Sequence, residues 1–165
     1  MRPDGSPGSS RRLSWTLLAI ALIAGSVALW YWQIKGGVAV GADPTDSTLV
    51  ARGRVIYDRQ CALCHGRELE GQPDWRTRLP TGRLPAPPHD VSGHTWHHPD
   101  AVLFDITQGG VQTHAPTGYQ SDMPAFGDIL SDADIWAALS YIKSRWPKEI
   151  QQKHSTINRN ARNQN

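Results

Sequence analysis

Sulfur is scarce in this chain. Its 165 residues include two cysteines and two methionines, one of the methionines at position 1. Two thiols cannot build a disulfide framework, and they supply at most half of a four-ligand zinc site. Alternating β-rich runs are missing too. The stretch from Gly66 to His98 is instead broken by Pro73, Pro80, Pro85, Pro87 and Pro88, so no sheet is signalled there. The basic residues are scattered and have no aromatic stacking platform among them, which argues against nucleic-acid binding. Charge is absent altogether from residues 13–34.

That last absence is informative. Residues 13–34 read LSWTLLAIALIAGSVALWYWQI, and about 20 such residues in helix cross a bilayer core. Arg11 and Arg12 precede the run and only Lys35 follows closely, a bias that keeps the N-terminus in the cytoplasm and exports the rest. Trp15 at one end and Trp30, Tyr31 and Trp32 at the other have the placement of interfacial aromatics. The expectation is a single-pass anchor in the inner membrane with the following domain in the periplasm. The competing reading is a signal peptide cleaved after Val40-Gly41-Ala42, a segment usually shorter than this one. Arg11-Arg12 is only a fragment of a twin-arginine signal. Either way the domain faces an oxidising compartment, where bare thiols pair or react unless something occupies them.

The chain divides accordingly. Residues 1–12 read as a cytoplasmic N-terminus, 13–34 as the anchor, 35–47 as a linker and 48–147 as the only globular domain. Residues 148–165 read as a basic tail without structure, because Asn, Gln, Arg and Lys dominate it. Charge is split in the same way. From Asp43 to Ile142 there are 7 Lys/Arg against 13 Asp/Glu, and from Lys143 onward 6 against 1. A globular part of roughly 100 residues is small enough to lean on a cofactor, metal or disulfide.

Within it the sequence signals helices. Ser47 is the expected cap of a first helix running toward Gln60, with Leu49, Val50, Gly53, Ile56 and Tyr57 at helical spacing. Pro99 opens a second, which Gly109-Gly110 ends. Ser131 and Asp134 make a capping-box pair for a third. Ile135, Trp136, Leu139, Ile142 and Trp146 stripe that helix, and Pro147 stops it. The fold class is all-α, a few helices around long loops. Loops this long in a small domain wrap something or serve a function.

The two cysteines stand in Cys61-Ala62-Leu63-Cys64-His65. C-x-x-C-H is the attachment pattern of haem c. Two thiols three residues apart at a helix end reach both vinyl groups of one porphyrin, and the next residue aims its imidazole at the iron. Nε2 of His65 would bind iron while Nδ1–H is held by a backbone carbonyl. Three other readings compete: a thioredoxin-like dithiol, which needs a βαβ setting; half a zinc site; and a chance structural disulfide.

The opposite axial ligand is sought among Met123 and six further histidines, His89, His94, His97, His98, His114 and His154. Most solitary methionines are core filler. Met123, however, sits in a loop well after the motif and is stiffened by Pro124. A thioether ligand belongs at such a position. A His/Met pair raises the haem potential and leaves no open site, which points to electron transfer rather than catalysis.

On these residues the chain resembles the class I c-type cytochromes over about 48–146. The resemblance rests on Cys61-Ala62-Leu63-Cys64-His65-Gly66, Ala86-Pro87-Pro88, Met123-Pro124-Ala125-Phe126 and the last helix of the domain. It implies a cytochrome c-like helical fold around one covalent haem c. It also implies a close crossing of the first and last helices, for which Gly53, Tyr57 and Tyr141 fit the contact roles. A proline after the motif is implied to supply the carbonyl for the ligand histidine; Pro87 matches best, and Pro73 stays open. Trp75, Arg76, Arg78 and Trp96 are available to the haem propionates, in no stated order.

The expected function is one-electron transfer by a single haem between redox proteins such as a membrane oxidase or dehydrogenase, without enzymatic activity. Two alternatives remain. The histidines between His89 and His98 could handle copper, or a labile Met123 could make the chain a haem sensor or ligand binder.

Overall fold

The computed structural model describes Trp15, residues 21–27 and residues 41–164. The chain forms two units, Met1–Val38 and Ala39–Asn165. Of the first, residues 21–27 are helical and exposed. Most of the expected anchor, 13–34, lies outside the described residues. Among the described residues no helix is long and apolar enough to cross a membrane.

The second unit is all-α, with no strand among its described residues. Its helices are α1 (Ser47–Gln60), α2 (Ala62–His65), α3 (Asp100–Gly109), α4 (Asp132–Ser144) and α5 (Lys148–Arg162), with single 3-10 turns at Thr95–His97 and Val111–Thr113. The cap of α1 is Asp46, one residue before the expected Ser47. Its carboxylate accepts the N–H of Thr48 at 2.9 Å and of Leu49 at 3.1 Å. One carboxylate thereby satisfies two of the orphan donors of the first turn. At α4 the Ser131–Asp134 box forms as the spacing predicts.

α1 packs across α4 at Gly53. A methyl group there would lie 1.9 Å from the carbonyl oxygen of Ala137, so the two backbones meet directly. One turn on, Tyr57 and Tyr141 rings lie 5.4 Å apart. Tyr57, Leu69, Leu103, Ile135, Leu139, Tyr141, Ile142 and Trp146 form the core around this crossing. Phe104 of α3 stacks on Trp136 of α4 with centroids 4.3 Å apart.

The tail expected to lack structure is instead the 15-residue helix α5. Its docked face is mixed: Ile150 packs against the core, while its buried anchors are polar. His154 is buried, its Nε2 donating to the carbonyl of His98 at 2.9 Å and its ring edge-on to Trp146. Asn158 clasps Asp100 in both directions: it accepts the Asp100 N–H at 2.7 Å and donates to its carboxylate at 2.8 Å. Lys143, also buried, donates to both oxygens of Asp100 and to the carbonyl of Ala42, each at 2.8 Å. Each partner in this network is satisfied, which is what makes a buried charge tolerable.

Burial outweighs the Asp100 charge and holds the His154 pKa below the ordinary 6.5. The folded chain therefore binds fewer protons than the unfolded chain at mildly acidic pH, and stability falls as pH drops through that range. His154→Gln should lower stability by about 1–2 kcal/mol at pH 7.5. It should also lose less further stability than the parent between pH 7.5 and 5.5. Urea melts of both chains at the two pH values measure this.

Candidate functional site

α1 ends at Gln60 because Cys61 leaves helical line, and a second short turn, α2, starts at once. The N–H of Cys64 and of His65 both donate to the carbonyl of Cys61, at 3.1 and 2.9 Å. This turn carries both cysteines, and His65 at its end is buried. The thiols are not joined to each other. Cys64 is exposed and Cys61 half-buried. Burial, reinforced by Cys64, pushes the Cys61 thiol up to about 11. A redox dithiol needs the opposite shift, and the described residues supply no βαβ setting.

The buried His65 ring has its Nδ1 2.8 Å from the carbonyl of Pro87. A carbonyl only accepts, so Nδ1 carries the proton and Nε2 keeps its lone pair. That is the tautomer a metal-ligating imidazole requires. Burial lowers the His65 pKa further than the Pro87 bond raises it, which favours the neutral ring. The Tyr57 hydroxyl donates to the carbonyl of Gly66 at 2.9 Å and ties the end of the motif to the α1–α4 crossing.

The long loop after the motif is tightly folded. Gly71, at φ +69, donates its N–H to the His65 carbonyl at 2.8 Å. A side chain at Gly71 would strike the Pro87–Pro88 peptide at 2.4 Å. Gln72 and Ala86 exchange two bonds across the loop, at 2.9 and 3.1 Å. His89 stacks flat on His65, centroids 3.9 Å apart; the sequence offered it as an alternative axial ligand and as one of the histidines that could handle copper.

Met123 lies half-buried in the loop between α3 and α4. Downstream, Phe126 and Gly127 donate to the carbonyls of Thr107 and Gln108, at 3.0 and 2.9 Å. Upstream, Asp122 pairs with Arg83. Cys61, Cys64, His65 and Pro87 thus come together through direct bonds. Met123 is linked toward that group by the pair of its neighbour Asp122 with Arg83, four residues before Pro87.

Arg83 was not singled out by the sequence. Its Nε is buried without a partner, a donor that a carboxylate of a bound group would satisfy. The residues that were singled out have protein partners. Arg76 lies over the Trp75 ring, Arg78 donates to the Gly82 carbonyl at 2.6 Å, and the Trp96 indole donates to Val91.

The histidines after His89 include one close pair, His94 and His98, whose rings meet edge-on at 5.4 Å. His94 stacks on Trp75, His97 on Trp96, and His114 pairs with Asp105 at 3.1 Å. Among the described residues no group of three or more His, Cys, Asp or Glu is arranged to hold a metal. The copper-handling and zinc readings therefore have no assembled site there.

Comparison with known proteins decides the family. The description of the family "Cytochrome c" matches residues 50–146, more than half of the chain. The chain belongs to the cytochrome c family. Membership brings a covalently attached haem c, and the site fits it: two unpaired thiols on one turn, an imidazole with its Nε2 lone pair retained, and a buried guanidinium N–H without a partner. Among relatives of this cytochrome is the cytochrome bc1 complex cytochrome c subunit of Mycobacterium bovis, 40% identical over 90 residues, covering 46% of this chain and 31% of that one. The cbb3-type cytochrome c oxidase subunit CcoP of Azospirillum brasilense is 30% identical over 98 residues, 59% of this chain and 29% of that one. Cytochrome c-555 of Prosthecochloris aestuarii is 30% identical over 67 residues, 37% of this chain and 68% of that one. The chain spans less than a third of the length of the first two. No solved structure matches it.

Proposed function

We propose that this cytochrome carries single electrons between redox proteins at the outer face of a bacterial inner membrane. The thiols of Cys61 and Cys64 would hold one haem c as thioethers, His65 Nε2 and the Met123 sulfur would ligate its iron, and the Pro87 carbonyl fixes the His65 tautomer. When bound, the haem supplies a one-electron iron couple. The observation that carries the reading is the 2.8 Å contact between His65 Nδ1 and the Pro87 carbonyl, because it leaves Nε2 as the donor atom.

The remaining chemistry belongs to the chain. With His65 and Met123 both committed to the iron, no position would be left for a substrate or gas, and the protein would transfer electrons without being an enzyme. The buried Nε of Arg83 would donate to a haem carboxylate. The Tyr57 hydroxyl bond to Gly66 ties the motif turn to the core around Tyr57 and Tyr141. Residues 13–34 anchor the domain beside its partners, and relatives named as subunits of bc1 and cbb3-type complexes support membrane oxidases or dehydrogenases as those partners.

The test is a potentiometric titration of the purified full-length protein with and without carbon monoxide. A single one-electron wave that carbon monoxide leaves in place is expected. Rapid binding of carbon monoxide to the reduced protein would turn the reading toward a ligand binder or sensor.

A further inference from the structure

The electron-carrier role leaves His89 unexplained. Its ring lies on the His65 ring with centroids 3.9 Å apart and planes 23° apart. The residue is fixed from several directions. Its N–H donates to the Leu69 carbonyl at 2.8 Å. Its carbonyl accepts the Trp146 indole N–H at 2.7 Å. Its Nδ1 pairs with the buried Thr95 hydroxyl at 2.8 Å, and its ring meets Tyr57 edge-on.

His65 is held differently. One bond, from Nδ1 to Pro87, grips one edge of its ring. Such a bond fixes the tautomer but lets the ring pivot about the Nδ1···O line. A flat, independently anchored neighbour against one face blocks that pivot. An aliphatic side chain of similar volume would fill the space without presenting a plane.

We propose that His89 is a positioning residue that sets the plane of the His65 imidazole, and with it the direction of the Nε2 lone pair toward the haem iron. The inference rests on His65 being the iron ligand. It concerns ring geometry, and burial keeps His89 itself neutral.

Ligand-plane orientation is read by low-temperature electron paramagnetic resonance of the ferric, haem-loaded, full-length protein. The parent should give one narrow low-spin signal. His89→Leu should broaden it or add a second low-spin signal, whereas His89→Phe, which restores a flat surface, should keep a single one. Thr95→Val leaves the ring but removes its side-chain anchor, and should broaden the signal in part. A merely space-filling role would lower thermal stability in these variants and leave the signal unmoved. Parent-like spectra in His89→Leu overturn the proposal, as does equal broadening in His89→Phe. Should His89→Leu fail to hold haem, an unchanged Thr95→Val spectrum overturns it. A parent protein without a ferric haem signal contradicts the electron-carrier reading itself, a separate outcome.

Discussion

Gly53→Ala is expected to destabilise the domain by about 3 kcal/mol or more, a large share of the roughly 5–15 kcal/mol that holds a small domain folded. The added methyl would stand 1.9 Å from the Ala137 carbonyl oxygen, 2.5 Å from its carbon and 2.9 Å from Cβ of Tyr141. Two of those atoms are helix backbone, so no rotamer change relieves the clash and α1 must lift off α4. Tyr57 rides on the same helix one turn later. The lift therefore loosens its ring contact with Tyr141 and the bond from its hydroxyl to Gly66, next to the motif. Chemical denaturation of the haem-loaded protein measures the loss. Arg54→Ala, on the exposed side of α1, should stay within about 0.5 kcal/mol of the parent. A Gly53→Ala protein as stable as that control would mean the helices are not in backbone contact.

The second large effect is chemical. Met123→Ala should convert a reduced protein that ignores carbon monoxide into one that binds it stoichiometrically, because alanine offers no donor atom. It should also lower the midpoint potential by more than about 59 mV, the shift of a tenfold change in relative affinity for two states of a one-electron couple. The direction follows from the preference of a thioether for the reduced metal. Unchanged potential and continued refusal of carbon monoxide would assign the second axial position to another side chain.

Much of this architecture could be read from the sequence because its causes are local or periodic. Ser131 and Asp134 bracket a helix start through their own side chains, and Gly109-Gly110 stops a helix through backbone freedom. The motif is five consecutive residues whose spacing carries the chemistry. The crossing contact among Gly53, Tyr57 and Tyr141 was legible only through family resemblance, because a close crossing leaves no periodic trace of its own.

What escaped the sequence depends on distant partners. α5 was missed because its apolar residues are few, with Ile150 packing on the core, and its buried anchors are polar: His154 and Asn158 bond His98 and Asp100, pairs that look like a solvated tail until the fold brings them together. His89 was read as one of several loop histidines; its stacking on His65 requires the turn at Gly71 and the bond from His89 to Leu69. Arg83 stands among other arginines in the sequence, and only its buried Nε separates it from them. Asp46 displaced Ser47 as a cap because adjacent capping residues compete, and spacing cannot rank them.

The most direct measurement follows the fate of the pigment when matured full-length protein is unfolded and extracted with acidified organic solvent, with the residue then treated with a thiol-alkylating reagent. The account predicts that the colour stays with the polypeptide and that neither Cys61 nor Cys64 is alkylated, since both sulfurs are already in thioether bonds. Colour that leaves with the solvent while both cysteines take up the reagent would contradict it.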